Sequence, residues 1–430
     1  MFKKRKRYDP GTGAGGGGTT PPPGEREWTF MVYLAGDNNL EQNGRADLAE
    51  MKQVGSSPQV AVVAQFDRMS AGSTRRYFLR RGSKLEEDAV GPELGETNTG
   101  DPHELERFIT WAMSTYPAKR YALVLWNHGT GWKEDDVYKI AQSSGLYPSR
   151  RAPELDPLVK GLVGRSARPV LFAPTINAIL ARGIAYDDTD CDFLDNAELK
   201  QAIRGALRDV GVEKLDLLGF DACLMNMLEV AYQLKDVAAH VVGSQDTEPV
   251  AGWPYDAVLG ELSKRPQMAG PELAGVIVEH YLRSYGPYDE VTQSALDLSR
   301  AREVVLALNE LCKYVLDNQD GCELAVGRAG RRAQSYSDPD YKDLYDFCRL
   351  LSERAGQEEL KRRALAVMEL LAPPGEGRLV YAEAHRGLRL ARSHGVSIYF
   401  PTRVLSPFYK RLDFASESLW DDMLRRLFGA

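Results

Sequence analysis

Five short apolar runs of strand length, separated by helical patterns, restrict the folds open to this chain more than any other feature. They are WTFMVYLA (28–35), QVAVVAQF (59–66), RYALVLW (120–126), KLDLLGF (214–220) and AHVVGS (239–244). Runs rich in Val, Leu, Ala and aromatic residues fit strands covered on both faces. NLEQNGRADLAEMKQV (39–54) follows the first run with helical spacing. DPHELERFITWAMSTY (101–116) precedes the third and DNAELKQAIRGALRD (195–209) the fourth. Asp101 has the side chain of a good N-cap, and Pro102 suits a first helical position. Strands alternating with helices predict an α/β fold, a largely parallel sheet flanked by helices on both faces. In such sheets the working site lies beyond the carboxyl ends of the strands.

Two segments break the alternation. Residues 1–27 are rich in Gly and Pro and read as a disordered tail. Residues 133–183 carry scattered Pro, Gly, Ser and Arg with little periodicity, a length that in a compact domain belongs to a functional or disordered insertion. The pattern over 28–260 is that of one α/β domain. From 261 to 430 it becomes mainly helical, at 271–286, 300–317, 340–355 and 359–371. QSALDL (293–298) and GVSIYFP (395–401) read as late strands that could rejoin the sheet.

The formal net charge of −7 argues against a nucleic-acid surface. No apolar run approaches the eighteen residues that suggest a membrane span. The basic start, FKKRKR, has no apolar stretch behind it, so a secretory signal is not expected and the cytoplasm is. Five cysteines, an odd number in a long chain, suit reduced thiols. A monomer without an organic cofactor is the expected form.

Two strand ends carry candidate chemistry. YALVLW is followed by NHGTGW, placing His128 just past a carboxyl end. LDLLGF is followed by DAC, placing Cys223 just past another. If these strands are neighbours, an imidazole and a thiol meet, the minimum for thiol acyl transfer. A helix beginning near Cys223 would favour the thiolate through its dipole. Its N–H groups, with that of Gly129, could hold an oxyanion. Taken singly, a Cys is usually a small buried hydrophobe and a His an ordinary core or surface group. The residues alone leave both readings open. Cysteine and histidine spacings give no zinc pattern, and there is no G-x-S-x-G elbow, P-loop or H-E-x-x-H.

FMVYLAGDNNLE, LVLWNHGTGW, IAYDDT, LLGFDACLMNMLEVAYQLKDVAAHVVGSQDTEPVAGWPY and GVSIYFP together resemble the clostripain family of cysteine peptidases, which share a caspase-like fold. The resemblance implies that His128 is the catalytic histidine and Cys223 the nucleophile. It implies that Asp221 lines a pocket for a substrate Arg or Lys; N-capping a helix is the other role open to it. Relatives often carry a second acidic residue immediately before the glycine of G-W, where this chain has Ala251. Asp246 or Glu248 could take its part. Several relatives cut themselves in the segment matching 133–183, which makes Arg150, Arg151, Arg165 and Arg168 candidate self-cleavage sites. Calcium stays open and unassigned: some relatives depend on it, but YDDTDCD (186–192) does not have EF-hand spacing. No metal ligand is named. The alternative to a peptidase is an inactive caspase-like module that binds peptides or a protein partner in the same cleft.

Overall fold

The structure, a computed structural model, describes residues 26–69, 72–129, 131, 184–187, 190, 192–401 and 405–428. The tail up to Glu25 lies outside these residues, as do Arg150, Arg151, Arg165 and Arg168. The strands are β1 (Arg26–Gly36), β2 (Val60–Arg68), β3 (Arg75–Phe78), β4 (Ala118–Trp126), β5 (Ile184–Asp187), β6 (Asp192–Leu194), β7 (Leu215–Asp221), β8 (Ala238–Gly243), β9 (Val291–Asp297), β10 (Tyr341–Asp343), β11 (Val380–Arg386) and β12 (Ser397–Tyr399). Among the described residues, eight of them form one sheet in the order β11–β9–β8–β7–β4–β1–β2–β3. The five central strands, β2, β1, β4, β7 and β8, are parallel; β3 and β9 run against them at the two sides, and β11 pairs antiparallel with β9, which returns it to the central direction.

Two cores follow from the period-two alternation of strand side chains. Met31, Tyr33 and Ala35 of β1 join one buried cluster, while Phe30, Val32 and Leu34 join the other. Helices α1 (Glu41–Val54), α5 (Tyr255–Lys264) and α6 (Gly270–Ser284) cover the second face, through Leu48, Met51, Leu259, Leu262 and Ile277. The first is covered by α2 (Pro102–Thr115), α3 (Asn196–Val210), α4 (Leu228–Leu234) and α7 (Ala301–Asp317), with α8 (Gln319–Arg332), α9 (Leu344–Arg354), α10 (Glu358–Leu371), α11 (Asp413–Glu417) and α12 (Trp420–Phe428) packed beyond. The starts of α2 and α3 are fixed locally. Asp101 accepts the His103 N–H, and Asp195 and Glu198 form a reciprocal capping box. No helix among the described residues is long and apolar enough to cross a membrane.

The α/β class and the two-faced helical cover match the sequence expectation. Three details differ. The late strand at 291–297 does enter the sheet, but GVSIYFP does not: β12 pairs with β10 in a separate two-stranded sheet. It is held there because the Ser397 N–H donates to Asn226 O at 3.1 Å, alongside the turn after β7. The sheet edge is β11, which sequence reading passed over. Finally, the helix expected to begin near Cys223 begins at Leu228. The Leu224 N–H donates to Asp246 O and the Asn226 N–H to Ser244 O, so this stretch lies extended beside the chain leaving β8 instead of coiling.

Glu229 of α4 ties the small sheet to the large one. It is wholly buried, and one oxygen accepts the Tyr399 N–H at 2.9 Å and the Tyr409 hydroxyl at 2.8 Å. Burial pushes its carboxyl from 4.5 up to about 7. Between those values the native state keeps a proton that the unfolded chain releases, so this group's share of stability falls as pH rises through that window. Urea titrations between pH 4.5 and 7 should therefore show a shallower loss of stability for Glu229→Gln than for the parent.

Candidate active site

The sheet reverses its winding between β1 and β4: the chain passes from β1 to β2 on one side, then returns to place β4 on the other. Such a switch opens a crevice at the carboxyl ends of the strands. His128 lies there, two residues past β4. Its Nε2 is 2.9 Å from Oδ1 of Asn39, which follows β1 across the crevice. An amide oxygen only accepts, so Nε2 carries hydrogen and the basic lone pair of the neutral ring is on Nδ1. Asn127 fixes the start of this loop. Its side chain donates to Ala35 O at 2.8 Å, and its backbone N–H donates to Asp221 O.

Cys223 stands at the same level on the next strand. β4 and β7 pair in parallel with Trp126 opposite Asp221, so the residues two beyond each, His128 and Cys223, leave the sheet side by side. Neighbouring strands are about 4.8 Å apart. Gly129 makes the approach close. A Cβ there would sit 2.4 Å from Cys223 O and 3.1 Å from Cys223 N, so only glycine lets the two loops touch. Leu224, at φ 64°, is the one non-glycine residue with positive φ among those described, and it turns the chain immediately after the sulfur. Such conformations cost of order 1–3 kcal/mol and persist where surrounding structure imposes them.

Cys223 is half-buried. Its Sγ accepts the Glu248 N–H at 3.3 Å, and its thiol faces Glu248 O at 3.9 Å. Burial, with smaller contributions from the charges of Glu248, Asp246 and Asp221, pushes the thiol up to about 12. The expected helix dipole is absent from this balance because α4 starts five residues later. The other described cysteines, Cys312, Cys322 and Cys348, are buried packing residues.

Beside the sulfur lies a cluster of buried carboxyls. Asp221 is 5% exposed; its Oδ2 accepts the Tyr255 hydroxyl at 2.8 Å and the Trp253 N–H at 3.3 Å. Gly252, at φ 59°, leaves the Asp221 carboxylate uncovered, since a Cβ there would lie 3.0 Å from Oδ1. The Glu248 carboxyl meets that of Asp221. Burial and this like-charged neighbour hold Glu248 well above the usual range, and burial pushes Asp221 up to about 6. Asp47 of α1, bonded to Trp126 Nε1 at 2.6 Å, adds a third acid, raised to about 9 by burial and by Asp221. No basic side chain among the described residues pairs with Asp221 or Glu248. Asp246, the other residue considered as a stand-in at Ala251, is committed elsewhere: it is wholly buried, ion-paired with Arg389 and bonded to the Ser337 N–H. Of the two, Glu248 is the one whose carboxyl meets that of Asp221. Asn39, Asp47 and Tyr255 were not singled out as site residues from sequence. The only hints were Asn39's place past a strand end and Tyr255's place in the G-W-P-Y run.

A second acidic group lies at the far side of the crevice. Asp37, Asp67, Glu96 and Asp187 bring one oxygen each within 4.8 Å of one another. Asp67 and Asp187 are wholly buried, and burial pushes them up to about 7 and about 8. Asp67 Oδ2 has no hydrogen-bond partner among the described residues.

With this geometry in hand, similarity to known proteins places the chain. The model of the clostripain family matches residues 32–145 and 173–426. The chain belongs to the clostripain family. Clostripain of Hathewaya histolytica is 26% identical over 387 residues, covering 76% of this chain; the chain spans 65% of that relative's length. Among solved structures, a secreted C11 cysteine protease from Bacteroides thetaiotaomicron, in complex with an irreversible peptide inhibitor, superposes with a TM-score of 0.62 at 19% identity, over 92% of this chain and 100% of that one. An inactive zymogen C11 protease from Parabacteroides distasonis gives 0.63 at 19% identity, over 92% and 99%. These likenesses establish the shared caspase-like fold.

The contact at Gly129 yields a direct check. Gly129→Ala must push the His128 loop away from Cys223. It should lower the melting temperature and slow labelling of Cys223 by a peptidyl electrophile at least about tenfold, read by mass spectrometry.

Proposed function

We propose that this chain is a cysteine endopeptidase that hydrolyses peptide bonds after Arg or Lys, with Cys223 as nucleophile and His128 as acid and base. The observation that carries this reading is the convergence of Cys223 and the His128–Gly129 loop beside paired buried carboxyls that lack a basic partner. A buried acid pair without a cation is costly unless it is protonated or a cation arrives from outside. The side chain before the scissile bond is that cation in this reading, held by Asp221 and Glu248 through charge-assisted hydrogen bonds.

The chemistry follows in balanced steps. His128 Nδ1 takes the thiol proton, and the Cys223 sulfur attacks the carbonyl carbon. The backbone N–H groups of Gly129 and Cys223 receive the developing oxyanion. His128 then protonates the departing amine, leaving an acyl thioester. It next deprotonates water, which attacks the thioester and releases the acid, and the thiol is restored. Asn39 holds the Nε2 side of the ring, which keeps Nδ1 as the proton carrier.

The same reading extends to self-processing in 133–183 after Arg150, Arg151, Arg165 or Arg168, all outside the described residues. It also gives calcium a place. Asp37, Asp67, Glu96 and Asp187 fit a hard divalent cation, since every donor is a carboxylate oxygen and Asp67 Oδ2 is buried without a hydrogen-bond partner. A cation bound there would supply charge neutralisation and tie the ends of β1 and β2 to β5.

Three measurements test the proposal. Fluorogenic peptides ending in Arg or Lys should be cleaved, and Cys223→Ala should abolish cleavage. Asp221→Asn should lower kcat/KM for them by roughly a hundredfold or more, through an unpaired buried cation. On SDS gels the parent should give two fragments and Cys223→Ala one band. Absence of turnover by the nicked protein would favour the peptide-binding module instead. Calcium should raise the parent's melting temperature by several degrees and leave that of Asp67→Asn unchanged.

A further inference from the structure

Glu248 occupies two places at once. Its side chain meets Asp221 in the pocket, and its backbone brackets the sulfur of Cys223 with an N–H at 3.3 Å and a carbonyl at 3.9 Å. Gln293 Nε2 reaches one carboxyl oxygen at 3.5 Å, and the Trp253 side chain also acts on the carboxyl. The acidic groups facing the sulfur are Glu248, Asp246 and Asp221. Asp246 is already neutralised by Arg389. The two still lacking a counter-charge are the pair that walls the pocket.

We infer that the basic side chain held between Asp221 and Glu248 acts on the nucleophile as well as on specificity: it answers the charge of the acid pair nearest Cys223 and fixes the backbone that brackets the sulfur, so the thiol becomes reactive when the site fills. This inference rests on the proposed pocket for Arg or Lys. With the pocket empty, the sulfur sits among acids in a desolvated corner and keeps its proton. With a guanidinium or ammonium in place, the charge of the acid pair is answered, and the proton passes to His128. A substrate with a neutral side chain would therefore suffer twice, in binding and in the state of the nucleophile. Glu248 is in this account a positioning residue, acting through Cys223.

Alkylation separates the two effects because it needs the thiolate but no peptide substrate. The full-length chain would be treated with iodoacetamide at pH 7, alone, with n-butylguanidinium and with neutral n-butylurea. Labelling of the Cys223 peptide would be followed by mass spectrometry. The buried thiols of Cys312 and Cys348 serve as unresponsive controls. n-Butylguanidinium should accelerate labelling of Cys223 about tenfold or more, the effect of lowering a thiol by one unit, and n-butylurea should not. Glu248→Gln should lose most of that acceleration at saturating n-butylguanidinium. Calorimetry keeps the failures distinct. If n-butylguanidinium does not bind, the pocket assignment is wrong. If it binds and labelling stays constant or slows, the pocket stands and the coupling to Cys223 is overturned.

Discussion

The parallel register of β4 and β7 sets everything else at this site. Placing Trp126 opposite Asp221 makes the two strands end together, so the His128 loop and the Cys223 turn emerge at one height. A slip of one residue would send side chains to the opposite face of the sheet. Buried apolar neighbours forbid that slip. Leu123 and Leu125 face one core while Ala122 and Val124 face the other, and both sets are wholly buried. The hydrophobic effect therefore fixes the distance between a thiol and an imidazole that are 95 positions apart in the chain.

Charge works in the opposite sense. Asp221, Glu248 and Asp47 are gathered where desolvation penalises each of them and their mutual repulsion adds to the penalty. The fold tolerates this because Tyr255, Trp253 and Trp126 donate hydrogen bonds into the group. Natural structures keep such unfavourable clusters mainly where a ligand completes them. The same contrast distinguishes Asp246, whose charge is already answered by Arg389 inside the molecule and which is therefore structural.

Much of the architecture was legible in the chain itself. The central strands were marked by continuous apolar runs because burial on both faces leaves no room for polar alternation. The start of α2 was marked by Asp101, whose short carboxylate suits a helix N-terminus. Edge strands β3 and β11 were missed, since RRYF and VYAEAHR are half-exposed and carry charged residues that mask the period. The course after Cys223 was misread as helix because LMNMLEVAYQL has helical apolar spacing. Hydrogen bonds to Asp246 O and Ser244 O, distant in sequence, outweigh that local preference until Leu228. His128, Cys223 and Asp221 could be picked out as strand-end residues. The choice of Glu248 over Asp246 could not, because it depends on where Arg389, 143 positions away from Asp246, folds back.

Asn226, three residues past the sulfur, has a further consequence. Its side-chain amide donates to Ser294 O on β9 at 3.0 Å and to Gly395 O at 3.3 Å. The loop bearing Cys223 is therefore mounted on segments synthesised after it. During synthesis the ribosome will have released both reactive side chains long before it releases their support. A nascent chain that has emerged only as far as β8 carries both side chains without the Ser294 and Gly395 contacts that hold the Cys223 loop in place.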